Sequence, residues 1–135
     1  MKATVYTDGG ARGNPGPAGI GYVLELAERE PISHGEYIGE ATNNQAEYQA
    51  LLAGLARAMA EGVTEIECFL DSELLVKQIG GEYRVKNSQL RPLYDRVCGL
   101  VPQFERAEFR HVPREENEKA DALVNEALDR ALDKG

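Results

Sequence analysis

Four acidic residues stand at positions where a carboxylate is unusual. Asp8 and Asp71 each follow a short strand-like run, "TVYT" and "ECFL". Glu47 heads an apolar stripe at helical spacing, and Asp121 flanks a second such stripe seven residues before Leu128. Because a charged carboxylate is costly to bury unless it is paired, these positions are candidates for a chemical site.

Each acid also has a simpler interpretation. Asp8 is typical of a turn before Gly9, and Asp71 of a helix N-cap. Glu47 suits the positive end of a helix dipole, and Asp121 suits a salt bridge at the rim of a core. Together, four acids at or near element ends favour a hard cation, Mg²⁺ or Mn²⁺, over zinc, which prefers nitrogen and sulfur ligands. Two such ions about 3.5–4 Å apart are the common arrangement for cutting phosphodiesters.

The elements that must position these acids follow the order βββαβα(α)βα, an α/β mixed sheet with helices packed on it. The first helix begins with a capping box of Thr42 and Gln45, and Pro113 opens the last helix. Alternating residues predict strands, the first three antiparallel, over residues 3–7, 19–26, 35–40, 65–70 and 103–111. Apolar residues at spacings of three and four predict the three helices before the last one, over residues 43–61, 72–79 and 88–100.

The composition is that of one soluble domain, residues 1–135, with 42% apolar and 28% charged residues. No apolar run reaches the roughly 18 residues of a membrane helix, and no leader precedes the first strand. Cys68 and Cys98 have apolar neighbours, which favours core cysteines over a disulfide bridge and suits a cytoplasmic protein. A monomer is the default expectation.

The net charge of −8 counts against a protein that holds nucleic acid by charge alone. The charge is uneven, since residues 77–96 contain five bases and two acids. A solvated surface is the simplest interpretation of that segment. The glycine-rich loop after Asp8 lacks the phosphate-binding glycine motifs, which disfavours a nucleotide-binding α/β protein.

The sequence resembles type 1 ribonuclease H along essentially its whole length. Four motifs carry the resemblance in the family's order: YTDGGARGNPGPAGIGYV, TNNQAEYQAL, FLDSELLVKQI and HVPREENEKADALVNEA. The resemblance implies a ribonuclease H-like fold, with three antiparallel strands followed by two parallel ones. It implies hydrolysis of the RNA strand of RNA–DNA hybrids with two Mg²⁺ ions, for which Mn²⁺ can substitute. A metal-activated water would attack in line and leave a 5′-phosphate and a 3′-hydroxyl, without an organic cofactor.

The resemblance also assigns roles to individual residues. Asp8, Glu47, Asp71 and Asp121 would bind the two ions, with Asp8 between them. His111, ten residues before Asp121, matches the family's mobile-loop histidine, which relays a proton or helps the product leave.

Substrate contacts are expected from the glycine-rich loop and from the start of the first helix. The bare loop lets its backbone approach the RNA strand, whose 2′-hydroxyls lie in a shallow minor groove. Thr42 and Asn87 match a phosphate pocket for the DNA strand, where Glu40 replaces a residue that is often basic. The residues expected to bind substrate are Gly9, Gly10, Arg12, Asn14, Thr42, Asn43, Asn44, Gln45 and Asn87.

The chain resembles a compact member, without the basic protrusion and the N-terminal hybrid-binding domain that other members carry. Only residues 77–96, with Tyr83 and Tyr94, would replace the protrusion, so we expect weak and salt-dependent substrate binding. Two alternatives stay open: a non-catalytic hybrid-binding module, and the same chemistry with additional cleavage of RNA–RNA duplexes, which Glu40 favours.

Overall fold

Five strands form one mixed sheet in the computed structural model, which describes residues 1–133. They are β1 (Lys2–Ala11), β2 (Gly16–Leu26), β3 (Ile32–Ala41), β4 (Glu65–Leu70) and β5 (Arg106–His111). Their order is β3-β2-β1-β4-β5, with antiparallel pairing among the first three and parallel pairing of β4 with β1 and β5. The predicted fold class is confirmed. Residues 134 and 135 of the predicted domain lie outside the described residues.

Four helices accompany the sheet: α1 (Asn43–Ala60), α2 (Glu73–Ile79), α3 (Arg91–Leu100) and α4 (Glu118–Leu132). Gly54 of α1 lies against Thr7, whereas Gly21 lies against the backbone of Ala120 in α4. Gly21 pairs with Asp8 across the sheet. Because successive strand residues point to opposite faces, α1 and α4 pack on opposite sides of the sheet.

The start of α1 confirms the predicted capping box. Thr42 Oγ1 accepts a hydrogen bond from the Gln45 N–H at 3.1 Å, and Gln45 Oε1 accepts one from the Thr42 N–H at 2.8 Å. The predicted apolar stripe of α1 is buried against the sheet, with Leu51 and Leu55 fully buried. This packing fixes where Glu47, in the same stripe, points.

Six predicted boundaries are wrong by three residues or more. Strand β1 continues past the predicted end at residue 7 to Ala11, because it stays paired with β2 along the glycines, and β2 and β3 begin at Gly16 and Ile32 rather than at residues 19 and 35.

The other three boundaries lie in the second half of the chain. Helix α3 begins at Arg91 rather than at residue 88, because Asn87 Oδ1 accepts the N–H groups of Gln89 and Leu90 in a local turn. Strand β5 begins at Arg106, after a short 3₁₀ helix over residues 101–103. Pro113 has extended backbone and opens a 3₁₀ turn, so that α4 begins only at Glu118.

The two cysteines differ in environment. Cys68 is buried in the core, as predicted, whereas Cys98 is exposed, so its prediction as a core residue is wrong. The neighbouring Val97 is the residue of α3 that turns toward the core. Both thiols are free. Within residues 1–133, no helix combines the length and apolar character needed to cross a membrane.

Candidate active site

Two parallel strands bring two of the predicted acids together. Thr7 of β1 pairs with Leu70 of β4, and Asp8 and Asp71 each follow directly along the chain. Glu47 approaches from the second turn of α1, where it accepts the Gly9 N–H at 2.5 Å. Carboxylate oxygens of Asp8, Glu47 and Asp71 all lie within 4.8 Å of one another. We call these three residues the acid cluster.

Asp121 lies beside the acid cluster rather than within it. It belongs to the first turn of α4 and lines the same cavity of about 350 Å³ as Asp8, Glu47 and Asp71. Its carboxylate is near enough to contribute to the raised pKa of Asp8. The structure therefore brings all four predicted acids to one cleft, three of them in close contact.

Burial and mutual repulsion favour the protonated forms of two acids of this cluster. Burial, and next the charge of Asp71, raise the pKa of Asp8 to about 7. Burial, and next the charge of Asp8, raise the pKa of Glu47 well above its ordinary value. A cation bound between these carboxylates would favour their ionised forms. Their oxygens are the ligands that Mg²⁺ and Mn²⁺ prefer, so the donor set fits such ions.

Asn117 is a residue of this site that the sequence analysis missed. It is 1% exposed, and its Nδ2 donates to the backbone oxygen of Thr7 at 2.9 Å and to Asp71 Oδ2 at 3.2 Å. Its Oδ1 is buried and, among residues 1–133, has no hydrogen-bond partner. The amide therefore ties Asp71 to β1. An asparagine directly before a helix is a recognisable N-cap signal, but the predicted start at Pro113 hid it.

Arg114 and Asn125 also line the acid cavity, and neither was predicted as a site residue. Asn125 Nδ2 donates to Asp121 Oδ2 at 3.4 Å, which places an amide beside the fourth acid. Arg114 belongs to the 3₁₀ turn that precedes α4. No periodic pattern marks Arg114, because its place depends on where α4 begins. Asn125 stands four residues after Asp121 on the same helix, so helical spacing could have found it.

His111 lies at the exposed end of β5 and does not line the acid cavity. It pairs in register with Leu70, so it stands at the same end of the sheet as Asp71. The structure thus places His111 near the cleft but outside the group of acids.

The glycine-rich loop is fastened to the start of α1. Asn14 Oδ1 accepts the Asn43 N–H at 3.0 Å, and Asn43 Oδ1 accepts the Ala11 N–H at 2.8 Å. A side chain at Gly9 would place its Cβ 2.2 Å from the backbone oxygen of Ala46. Only glycine permits this approach of β1 to α1, which brings Glu47 to the acid cluster.

The residues expected to bind substrate divide between two cavities. The acid cavity includes Gly9, Gly10, Arg12, Asn43 and Asn44. A second cavity of about 220 Å³ is lined by Asn14, Thr42, Asn44, Asn87, Gln89 and Leu90. We call this second cavity the amide pocket.

Six of these side chains already have partners, among them Asn14, Thr42 and Asn43 in the contacts described above. The Arg12 guanidinium pairs with Asp129 of α4 at 2.6 Å. Gln45 is engaged in the capping box, and the Asn87 side chain closes its own turn. Gln45 therefore serves the start of α1, and it lines neither of the two cavities.

Comparison with known proteins identifies the family. A family model described as "Reverse transcriptase-like" matches residues 6–127. The crystal structure of RNase H1 from Halobacterium salinarum superposes with a TM-score of 0.92 at 44% identity, covering 96% of this chain and 99% of that one. This chain belongs to the type 1 ribonuclease H family. LC11-RNase H1, solved in complex with an RNA/DNA hybrid, is 43% identical with a TM-score of 0.90, covering 96% and 99% of the two chains.

Two curated relatives of this ribonuclease H chain are longer than the chain itself. A bifunctional protein of Mycobacterium tuberculosis is 44% identical over 97% of this chain, which spans 36% of that protein. Ribonuclease HI of Halobacterium salinarum is 46% identical over 96% of this chain, which spans 66% of that protein. The chain therefore corresponds to one part of each of these relatives.

The basic segment of this ribonuclease H chain forms a cavity of its own. A cavity of about 430 Å³ is lined by Tyr83, Arg84, Lys86, Arg91 and Tyr94 with their neighbours. Arg91 pairs with Asp95 at 3.0 Å, whereas Arg84 and Lys86 form no ion pair within residues 1–133. We call this cavity the basic pocket. Asn87 follows Lys86 directly, so one short loop lines both the basic pocket and the amide pocket.

Proposed function

We propose that this chain is an endonuclease that hydrolyses the RNA strand of RNA–DNA hybrids with two divalent ions. The observation that carries the proposal is the acid cluster, in which Asp8, Glu47 and Asp71 place oxygens within 4.8 Å of one another where the parallel pairing of β1 and β4 ends. A 43% identical relative solved with an RNA/DNA hybrid supports the choice of substrate.

The proposed ligands of the ions are Asp8, Glu47, Asp71 and Asp121. Mg²⁺ is the proposed ion and Mn²⁺ its substitute, since both prefer oxygen ligands. When bound, the ions would activate the attacking water and stabilise the attacking and leaving oxygens of an in-line displacement, which leaves a 5′-phosphate and a 3′-hydroxyl. Asp8 is proposed to contact both ions because Glu47, Asp71 and Asp121 all lie near enough to influence its pKa.

The chain's own residues orient the substrate around this centre. The backbone of Gly9 and Gly10 lines the cleft, where it can approach the RNA strand without side chains in the way. The amide pocket is proposed to take a phosphate of the DNA strand, with Thr42 and Asn87 as donors. His111, near the strand end that carries Asp71, is proposed to move a proton or assist product release.

A second activity, cleavage of RNA–RNA duplexes, has one observation in its favour. Glu40 is exposed two residues before Thr42, so it brings a negative charge to the approach of the amide pocket. Weak binding of the DNA-strand phosphate would weaken discrimination between the strands. A non-catalytic hybrid-binding module is less well supported, because the full set of acids and His111 is present in this chain.

The remaining proposals concern the setting of the protein. The two free thiols support a reducing, cytoplasmic compartment. We propose that residues 1–135 form a single domain that works as a monomer without an organic cofactor. Size-exclusion chromatography with light scattering would test the monomer, and a dimer mass at micromolar concentration would contradict it.

The decisive experiment is Mg²⁺-dependent cleavage of three end-labelled duplexes: RNA–DNA, RNA–RNA and DNA–DNA. We expect cutting confined to the RNA of the hybrid, with Asp71→Asn as the inactive control. Comparable cutting of RNA–RNA would keep the chemistry and overturn the substrate. Binding without cutting, in either Mg²⁺ or Mn²⁺, would favour the non-catalytic module.

A further inference from the structure

One face of the sheet is partly open. Helix α4 packs on this face mainly at β2 and β3. On the same face, the side chains of β1 as far as Tyr6 and those of β4 are half-buried or exposed, in contrast to the buried residues that alternate with them on the α1 side. The side chains that β5 contributes to this face are also half-buried or exposed. We call these outward side chains of β1, β4 and β5, together with the adjoining side chains of β2, the open face.

The strand registers arrange the open face in rows that cross the sheet. One row, which we call the aromatic row, has Tyr6 between Val23 and Phe69. The rings of Tyr6 and Phe69 stack with centroids 5.0 Å apart. The next row, farther from the acid cluster, carries carboxylates on three of its four strands: Glu25, Thr4, Glu67 and Glu108.

Carboxylates also border the aromatic row on its other side. A cavity of about 270 Å³ beside Tyr6 is lined by Glu115 and Glu116 of the turn before α4. It adjoins a cavity of about 510 Å³ over the acidic row, since Glu25 lines both. Burial, and next the charges of Glu25, Glu116 and Glu67, raise the pKa of Tyr6. The open face is thus a groove with an aromatic floor and acidic edges.

Two bases of the open face are already neutralised. Arg106 pairs with Glu108 at 2.6 Å, and Arg110 pairs with Glu67 at 2.7 Å.

The groove keeps more unpaired acids than unpaired bases. Among the described residues that line its two cavities, Lys2 and Lys119 form no ion pair, and neither do five acids: Glu25, Glu65, Glu115, Glu116 and Glu118. The unpaired charge of the groove is therefore negative. Such a groove repels phosphates, and its chemistry suits guanidinium groups, which stack on aromatic rings and pair with carboxylates.

We propose that the open face binds an extended, arginine-rich segment of a partner protein, with guanidinium groups over Tyr6 and Phe69 and paired with Glu25 and Glu116. The charge complementarity argues for this occupant over nucleic acid. Along β1, Tyr6 lies two residues before Asp8 and therefore on the same face of the sheet. A segment held there would therefore bring positive charge to the side of the cleft in a chain whose net charge is −8.

The test uses a short peptide that alternates arginine and serine, titrated into the Mg²⁺-loaded protein at physiological salt and followed by amide NMR shifts. We expect shifts at Thr4, Tyr6 and Phe69. The double variant Glu25→Gln/Glu116→Gln should bind the peptide about three- to thirtyfold more weakly, as two exposed ion pairs are lost. Its cleavage of hybrid should equal that of the wild type, because neither residue lines the acid cavity.

A matched control separates a specific groove from general acidity. Glu82→Gln/Glu126→Gln makes the same charge change at two exposed positions away from the open face, and it should change peptide affinity less than twofold. Equal losses in the two double variants would overturn the proposal. Three other outcomes would also overturn it: peptide-induced shifts confined to the acid cluster, the same shifts when hybrid is added instead of peptide, and self-association that Glu25→Gln/Glu116→Gln abolishes.

Discussion

The acid cluster and the basic pocket place their charges in opposite ways. Asp8 and Glu47 are 7% and 9% exposed and are held by a strand end and a buried helix. Arg84 and Lys86 are exposed on an irregular loop between α2 and α3. Rigid, buried placement raises pKa values and fixes geometry, so it suits chemistry. Exposed cations on a loop have little geometric precision, and they suit attraction to a phosphate backbone.

This difference separates two kinds of mutational effect. Changes in the acid cluster should lower kcat while hybrid binding survives. Changes in the basic pocket should raise KM and alter the salt dependence while kcat survives. A variant that moved both quantities together would show that the two regions are not independent.

The largest effect is expected for Asp8→Asn. Loss of the acid proposed to contact both ions should lower kcat by about 10⁴-fold, because metal stabilisation of the transition state amounts to several kcal/mol. Single-turnover cleavage of a labelled hybrid measures the rate, and fluorescence anisotropy measures binding. Asp133→Asn, on an exposed position after α4, is the control. Turnover within tenfold of the wild type would contradict the assignment of the metal ligands.

A smaller loss is expected for His111→Ala. The smallest usual contribution of a general acid–base group is about 10²-fold. Because His111 lies outside the acid cavity, we expect the rate to fall by no more than about 10²-fold. Comparison of single-turnover and steady-state rates shows whether chemistry or product release has slowed. Unchanged kinetics in both regimes would remove the proposed role.

Asn117→Ala should slow cleavage by about 10- to 100-fold, the usual effect of removing a group that orients a metal ligand. Its amide holds Asp71 at 3.2 Å, so its loss should also raise the Mg²⁺ concentration needed for half-maximal rate. Asn125→Ala, at an exposed position with a longer contact of 3.4 Å to Asp121, is the matched control and should have a smaller effect. A loss of rate that excess Mg²⁺ leaves unchanged would show that Asn117 acts only on folding, which the melting temperature would reveal.

The sequence predicted those parts of the molecule that depend on periodicity and on strand ends. The apolar stripe of α1 located Glu47, and the end of β4 located Asp71. Asp8, predicted at a strand end, lies within β1, one residue past its pairing with β4. Parallel pairing of β1 with β4, which follows the crossover through α1, brings these acids together. The strength of local patterns explains this success, since each signal spans several residues.

The parts that the sequence analysis missed depend on single contacts. Asn117 was overlooked because Pro113 resembles a helix start, while the chain instead makes a 3₁₀ turn before α4. Arg114 was overlooked for the same reason, whereas Asn125 lies four residues after Asp121 on α4, a helical spacing that the sequence does contain. The exposure of Cys98 depends on the side of α3 that faces the core, which apolar neighbours in sequence did not specify.

The basic pocket yields a prediction about salt. Arg84→Gln/Lys86→Gln should reduce the slope of log affinity against log salt by about 2, since each phosphate contact contributes about 1. Binding of hybrid should weaken a few-fold at physiological salt, with kcat unchanged. Lys2→Gln/Arg130→Gln makes the same charge change at exposed positions outside the basic pocket and should leave the slope unchanged. Equal slopes in the two double variants would show that general charge, and not this pocket, attracts the hybrid.

The smallest expected effect concerns stability, and it has the opposite sign from the effect on activity. In the metal-free protein the pKa of Asp8 is about 7, above the 3.8 of an ordinary aspartate, because of burial and the charge of Asp71. Between these pH values the folded state binds more protons than the unfolded state. The resulting stability is present below about pH 4 and is lost as the pH rises through about 7.

Asp8→Asn replaces the carboxyl group with an amide that stays neutral at every pH. It also removes a charge that raises the pKa of Glu47. At pH 8 without metal, the variant should be more stable than the wild type by about 1 kcal/mol, or a few degrees in melting temperature, and the difference should shrink toward pH 5. Mg²⁺ should stabilise the wild type more than the variant, because it binds the folded state through the missing carboxylate. A variant that melts below the wild type at pH 8 would mean that other interactions stabilise the buried carboxylates without metal. The contrast between the buried acid cluster and the exposed charges of the basic pocket would then not hold.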